Sequence, residues 1–472
     1  MAKKAAAACA AIVLVLGGYA AADTADLVPG VLTTKPPREA PAPFPEAPNL
    51  ALDKTGAVLP DASADAGDAQ PDGVASTVDP LLKDKALGKS VGVDIRDGLT
   101  GDELYSKAAD EGHLPASTTK VLTAAAALTT LGSDRQLTTR VVAGPGSDEI
   151  TVVGGGDMLL GRGDSDSAAV NGRAGLASLA KATADALREA GTTEVAVRLD
   201  DTLYSGKDVS DEWAANDVAN GEVAPISPLM VDSGKEKPGQ RTPRASAPAD
   251  FAAGIFVEQL KKNGIKAVGK VARSAAQSDA EQLAEVKSAS IGDIVEYMLL
   301  HSDNVVAEGL GRLVAVDTGR SGSFLDAADA VQSQVKEIGV DVAGVSLHDV
   351  SGLAHSNRIT AQALTGLLTV AAQQKTPELD SLIPSLPVAG FSGTLTDRYG
   401  DSASKYGAGL VRAKTGSLTG VSTLAGVVTD KSGRLLVFAV LADDVPKGGN
   451  DSARKAIDAV TAALAGCGCG SG

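Results

Sequence analysis

Histidine, cysteine and aromatic residues are all scarce in this chain of 472 residues: four His, three Cys, one Trp, six Tyr and six Phe. The histidines (His113, His301, His348, His355) include no pair at metal-ligand spacing, so no catalytic metal and no cofactor is expected. Cys9 sits in an N-terminal apolar run and Cys467 and Cys469 in a glycine-rich tail, an arrangement that implies neither a disulfide framework nor a cysteine zinc site. Positive charge is also short. Forty-three Lys and Arg stand against 59 Asp and Glu, a formal net charge of −16, which leaves no basic face to grip a phosphate backbone and removes nucleic acid as an expected partner. The one long uncharged stretch at the N-terminus runs from Ala5 to Ala22 behind Lys3 and Lys4, is centred on Ile12-Val-Leu-Val-Leu16, and closes on the small residues Ala20-Ala-Ala22. Residues 1–22 therefore read as an export signal or a retained anchor. In the second case residues 5–22 would tether the chain to a membrane, and either way the remainder is expected outside the cytoplasm.

What is abundant is small and apolar. Apolar residues make up 44% of the chain and glycine contributes 53 positions, ample for real cores, and the length suggests about three domains. Ten of the 21 prolines fall between Thr24 and Pro80, so residues 23–76 read as a flexible spacer and residues 466–472 as a frayed tail. Val91-Gly-Val-Asp-Ile-Arg96, a turn, and Glu103 to Ser106 predict a hairpin, and Val121 to Leu131 a helix stopped by Gly132. From residue 138 to 286 short β-like runs alternate with helix-like ones (Leu176 to Ala190, Phe251 to Asn263), enough for inserted α/β modules. Helical patterns return at Ile291, Asn304 and Ala361. Three closely spaced strands over Gly409–Lys414, Ser422–Val428 and Leu435–Leu441 then predict an antiparallel sheet, and Ala453 to Ala465 a closing helix. The fold class expected is α+β.

Nucleophile signatures are common, and context separates them. Gly88-Lys-Ser-Val-Gly92 fits a nucleophile elbow but leads into a strand instead of linking a strand to a helix. Ser-x-x-Lys occurs five times, starting at Ser117, Ser178, Ser333, Ser402 and Ser452; only Ser117-Thr-Thr-Lys120 stands at the mouth of a strongly apolar helix, where Ser and Lys three apart share a face. Ser-x-Asn occurs once, at Ser302-Asp303-Asn304, 185 residues further on. Lys-Thr-Gly occurs twice: Lys54-Thr-Gly56 in the proline-rich spacer, and Lys414-Thr-Gly416 on a strand, followed by Ser417.

In this order the three motifs resemble those of the penicillin-recognising serine acyltransferases. The long interval before Ser302 is similar to the D-alanyl-D-alanine carboxypeptidase/endopeptidase branch, the low-molecular-mass class C penicillin-binding proteins. Further similar stretches are Gly154-Gly-Gly-Asp157, Leu199-Asp-Asp-Thr-Leu-Tyr204, Asp349-Val-Ser-Gly-Leu353 with Asn357-Arg-Ile-Thr360, and Ser392-Gly-Thr-Leu395. Two departures are Met158-Leu-Leu160 where the family tends to have Pro-Thr-Leu, and Ala354-His355 where it tends to have Ser-Arg. The resemblance implies a penicillin-binding, serine β-lactamase-like fold divided into residues 77–137 and 287–465, with inserted domains at 138–286. It also implies a serine enzyme cleaving D-Ala-D-Ala ends or cross-links of peptidoglycan stem peptides and acylated by β-lactams.

In that reading Ser117 is the nucleophile, Lys120 its base and Ser302 the proton relay. Asn304, Lys414, Thr415, Gly416 and Ser417 bind substrate, and Asp157 faces the amino end of a stem-peptide side chain. Lys120 is expected to tend towards neutral while Lys414 stays charged. The alternatives are a serine β-lactamase, against which no Glu-x-x-Leu-Asn segment is found between Asn304 and Lys414, and a non-catalytic wall-binding or sensor module of the same fold.

Overall fold

The computed structural model describes residues 67–469; the expected leader, Cys9 and most of the spacer lie outside the described residues. The chain divides into two units, Met1–Val58 and Leu59–Gly472, and everything described falls in the second. It opens with helix α1 (Pro71–Val78), which has a proline in its first turn and buries Val74 and Val78. The spacer expected to reach residue 76 thus stops short of it. Two valines four apart give this stretch a single apolar face, which the density of prolines concealed.

Strands β1 (Val91–Asp97) and β2 (Glu103–Lys107) form the expected hairpin, its turn held by the Asp97 carboxylate accepting the N–H groups of Leu99 and Thr100. A single 3-10 turn over Ala116–Thr118 feeds α2 (Thr119–Leu131), and Gly132 ends it at a φ of 83°. Almost every α2 side chain is buried, as befits a helix that is apolar all round and runs through the core.

The chain next forms β3 (Gln136–Ala143), β4 (Glu149–Val153), β5 (Asp157–Leu160), α3 (Leu176–Glu189), β6 (Glu194–Asp200), β7 (Leu229–Val231), α4 (Pro248–Lys262), β8 (Lys266–Arg273) and β9 (Gln282–Ser290). Five of these strands make one mixed sheet in the order β8-β6-β4-β3-β9, with an apolar core of its own that includes Leu179 of α3 and Phe256 of α4. β5 and β7 pair in parallel apart from it.

Helices α5 (Ile291–His301), α6 (Asn304–Asp317), α7 (Phe324–Glu337) and α8 (Ala361–Ala372) follow, then β10 (Val411–Leu418), β11 (Val421–Thr429), β12 (Leu435–Ala442) and α9 (Asn450–Gly466). The last three strands join the first hairpin in an antiparallel sheet ordered β10-β11-β12-β1-β2. Both faces of this sheet are covered, and the period of two sorts its side chains accordingly. Val437, Ala439 and Leu441 belong to the core shared with α2, α6 and α8, whereas Leu436, Phe438 and Val440 belong to the one shared with α9.

The C-terminal tail departs from expectation. Cys467 and Cys469 form a disulfide, Cys469 is buried, and its carbonyl accepts the Gln70 N–H at 2.7 Å while that of Cys467 accepts the Lys431 N–H at 3.2 Å. The tail is therefore docked through residue 469 rather than frayed from 466, because the two ends of the described chain meet.

Candidate active site

Three close approaches build the site. The first is the turn carrying Ser117. Ala116 adopts a φ of 47°, costly for a residue with a side chain, and Thr118 and Thr119 return their hydroxyls to the carbonyls of Pro115 and Ala116 at 2.6 and 2.8 Å. These bonds hold the strained turn and leave Ser117 half-buried at its outer edge. One helical turn later Lys120 lies beneath it, fully buried, with Nζ 3.0 Å from Ser117 Oγ.

The second is the corner between α5 and α6. Ser302 caps α5 in the left-handed region at a φ of 54°, and Asp303 starts α6 by accepting the N–H groups of Val305 and Val306 at 2.9 and 3.2 Å. The other Asp303 oxygen accepts the Ser233 hydroxyl at 2.8 Å, which fixes the corner to the segment after β7. Asn304 is thereby aimed inward: its Oδ1 accepts from Lys120 Nζ at 2.6 Å and its Nδ2 donates to the Glu222 carbonyl at 2.9 Å.

The third is strand β10. Its first half is covered, since Ala389 N–H donates to Val411 O and Ala413 N–H to Pro387 O. Backbone groups alternate along an antiparallel edge, so Thr415 and Ser417 also turn theirs away from β11, on the side where residues 387–389 no longer shield them. Gly416 explains how the strand comes so close to Ser117. A Cβ there would lie 2.1 Å from Thr423 Oγ1, 2.6 Å from the Pro115 carbonyl oxygen and 3.1 Å from Ala116 Cβ. Lys414, fully buried, donates to Ser302 Oγ at 3.0 Å and to the Thr415 carbonyl at 2.9 Å, and Thr415 Oγ1 donates to Thr394 Oγ1 at 2.8 Å.

A cleft of about 760 Å³ opens over these groups; Ser117, Ser302, Asn304, Thr415 and Ser417 line it, with walls from residues 214–244 and from His355. Among the sequence-predicted site residues, Asp157 alone is not brought there. It is 2% exposed, its carboxylate accepts the Leu159 N–H at 2.8 Å, and burial pushes its pKa up to about 7. The expected contact with a substrate side chain is corrected accordingly: the pairing of β5 with β7 keeps Asp157 inside the protein.

Burial disfavours the ammonium form of both lysines, not of Lys120 alone. Burial lowers Lys120 to about 8, opposed by the carboxylates of Asp349, Glu308 and Asp303. Its ammonium satisfies three acceptors, Ser117 Oγ, Asn304 Oδ1 and the Ser351 carbonyl, the last at 2.6 Å. Lys414 is also lowered well below its ordinary value, by burial first and then by the charges of Lys120 and Arg398. In the ligand-free site burial and mutual repulsion therefore weigh against two ammonium groups side by side.

Sequence reasoning missed the support beneath Lys120. Asp349 is wholly buried and accepts from the N–H groups of Gly352, Leu353 and Ala354, from Asn357 Nδ2 and from Trp213 Nε1 at 2.7–3.0 Å. It folds the loop that presents the Ser351 carbonyl. The signal was present as Asp349-Val-Ser-Gly-Leu353, but a turn aspartate and an aspartate supporting a site look alike until a lysine is placed against the loop.

A nucleophile with a buried lysine, a second lysine on a sheet edge and a serine-asparagine corner between them, on this arrangement of sheet and helices, define a serine-type D-Ala-D-Ala carboxypeptidase of the penicillin-binding fold. The chain belongs to the D-Ala-D-Ala carboxypeptidase 3 (S13) family, whose profile matches residues 74–242 and 235–464. It is 39% identical to a carboxypeptidase of Mycobacterium tuberculosis over 91% of this chain and 90% of that one. It is also 30% identical to the D-alanyl-D-alanine carboxypeptidase of Actinomadura sp. over 79% and 82% of the two chains. The crystal structure of penicillin-binding protein 4 from Haemophilus influenzae shares the fold, with a TM-score of 0.68 at 24% identity, covering 83% of this chain and 97% of that one.

Proposed function

We propose that the protein works on the outer side of the cytoplasmic membrane, exported or anchored by residues 1–22, and trims peptidoglycan stem peptides through an acyl-enzyme on Ser117, with β-lactams acylating the same oxygen. The observation that carries this reading is the 3.0 Å contact between Ser117 Oγ and the amine of Lys120, a lysine removed from water whose pKa burial lowers to about 8. A serine hydroxyl attacks only if a base takes its proton, and a drop from 10.5 to about 8 brings lysine on the order of 3 kcal/mol closer to that task.

The substrate completes the switch. Its terminal carboxylate, seated by Lys414, Thr415 and Ser417, stabilises the ammonium form of Lys414. A positive charge there disfavours a second one on Lys120, which gives up its proton and becomes the base. Ser117 Oγ then attacks the carbonyl of the penultimate D-alanine as its proton passes to Lys120 Nζ. The oxyanion is received by the N–H of Ser117 and by the N–H that Ser417 turns off the sheet edge, and each such donor is worth about 100- to 1000-fold in rate. The bond to the terminal D-alanine breaks as its nitrogen takes a proton relayed by Ser302, whose Oγ accepts from Lys414 Nζ. Asn304 holds the peptide amide, and water later releases the shortened stem. Cleavage of a cross-linked stem in the same cleft would be an endopeptidase reaction.

The test is covalent labelling by a fluorescent penicillin with peptide mapping, together with D-alanine release from a model pentapeptide. The adduct is expected on the peptide containing Ser117, and Ser117→Ala is expected to lose both labelling and release. Labelling that persists in Ser117→Ala rejects the assignment. Rapid turnover of a chromogenic cephalosporin would instead favour a β-lactamase.

A further inference from the structure

Asn304 and Glu308 lie one turn apart on the same face of α6. Asn304 touches Lys120 directly, and Glu308 reaches it through a backbone. One Glu308 carboxyl oxygen accepts the N–H groups of Val350 and Ser351 at 3.2 and 2.9 Å, and the carbonyl of Ser351 is the one that meets Lys120 Nζ at 2.6 Å. From the opposite side the hydroxyl of Thr123, three residues after Lys120 on α2, donates to the Val350 carbonyl at 2.6 Å. Among the described residues the second carboxyl oxygen of Glu308 is buried with no hydrogen-bond partner, and the residue is fully enclosed. A half-satisfied carboxyl inside a core is expensive. Its polar contacts go to the two N–H groups that aim the Ser351 carbonyl.

We propose that Glu308 is a positioning residue for the base: by clamping the Val350–Ser351 backbone it holds the Ser351 carbonyl on Lys120 Nζ, and so sets both where the amine sits and how readily it sheds its proton. The inference rests on the reading of Ser117 as nucleophile and Lys120 as base. The titratable groups around Lys120 are Asp349 and Asp303, Glu308 itself, and Lys414 across the cleft floor. Those around Glu308 are Asp349 and, one turn along α6, Arg312, which stacks on Phe324 at 3.9 Å and donates to the Lys207 carbonyl. Burial and the charge of Asp349 raise Glu308 to about 8, so near neutrality its accepting oxygen belongs largely to an uncharged carboxyl. A glutamine carbonyl is a close substitute for it; an alanine is none.

The sign follows from the carbonyl. An acceptor on Lys120 favours its ammonium form, so a loosened Ser351 carbonyl lets the amine become free at lower pH, while a misplaced amine lowers the rate that the free base supports. The experiment is the acylation rate of the full chain by labelled penicillin, followed from pH 5.5 to 9.5, with thermal melting alongside. Glu308→Gln is expected to keep the wild-type midpoint and a plateau within about threefold, and Glu308→Ala to lose about 10- to 100-fold of plateau with a midpoint lower by about half a unit or more.

A wild-type profile in Glu308→Ala, or an equal loss in Glu308→Gln, overturns the proposal. If Glu308→Ala does not fold, Thr123→Val releases the Val350 carbonyl on the other side of the loop; a lowered midpoint and plateau support the proposal and an unchanged profile overturns it. Labelling retained in Ser117→Ala would instead reject the underlying reading, whatever the Glu308 variants do.

Discussion

Replacing Gly416 by alanine tests whether the site depends on the distance between two backbones. The glycine is not needed for an unusual dihedral, since it is not among the residues with positive φ. It is needed for room. The added methyl would start 2.1 Å from Thr423 Oγ1 and 2.6 Å from the Pro115 carbonyl oxygen, where real contacts begin near 3.0 Å. Thr423 cannot simply turn away, because its hydroxyl donates to that same Pro115 oxygen at 2.8 Å. β10 must therefore back off from the Ser117 turn by about 0.4 Å to clear the Pro115 oxygen, and must also part from Thr423 on β11 by about 0.9 Å; misplacement approaching 1 Å forfeits up to about 100-fold of oriented catalysis.

The N–H of Ser417 moves with the strand, and a misplaced oxyanion donor costs about 100- to 1000-fold. Taken together, Gly416→Ala should lower penicillin acylation by about 100-fold, near 3 kcal/mol in the barrier, while the melting temperature falls by only a few degrees. The second-order acylation rate with labelled penicillin is the assay. Acylation within about threefold of wild type in a folded Gly416→Ala variant would refute the argument that this close approach aligns the site. Adding Thr423→Ala should restore part of the rate, because it removes the shorter of the two contacts but not the one to Pro115.

Acylation of the wild-type enzyme should rise with pH through a midpoint near 8, because only the free amine of Lys120 can take the Ser117 proton; a flat profile between pH 6 and 9 would contradict its role as base. Buried His113 pairs with Asp443 at 3.1 Å just before the Ser117 turn. Burial alone would lower the His113 pKa, but the hydrogen bond and charge of Asp443 raise it above 6.5. The pair therefore contributes most below pH 6.5, and that contribution is lost as pH rises through the folded value. His113→Gln should then cost about 2 kcal/mol in urea melts at pH 6 and visibly less at pH 9; equal losses at both would refute it. Asp303→Ala should destabilise by about 1 to 2 kcal/mol through the lost α6 cap, and should cut D-alanine release by more than stability explains, because Asn304 loses its aim.

Sequence by itself determined the local elements and the chemistry they carry. Apolar periodicity marked α2, the hairpin β1–β2, β10 to β12 and α9, because each buries a continuous face whose period is intrinsic to helix or strand. It did not mark β8 and β9. Lys266–Arg273 and Gln282–Ser290 are rich in charged and small residues and become strands by pairing with β6 and β3, a property of their neighbours. Ser117, Lys120, Ser302, Asn304 and Lys414 were legible because their three motifs, taken in order, resemble those of the penicillin-recognising serine acyltransferases. Asp157 was misjudged, since the sequence Gly-Gly-Gly-Asp does not say which way its carboxylate faces. Only the tertiary structure decided that both lysines are buried beside each other, why residue 416 must be glycine, and that Glu308, Asp349 and Thr123 stand behind the base. Those are matters of burial and of distances between segments hundreds of residues apart, and both arise when the chain closes on itself.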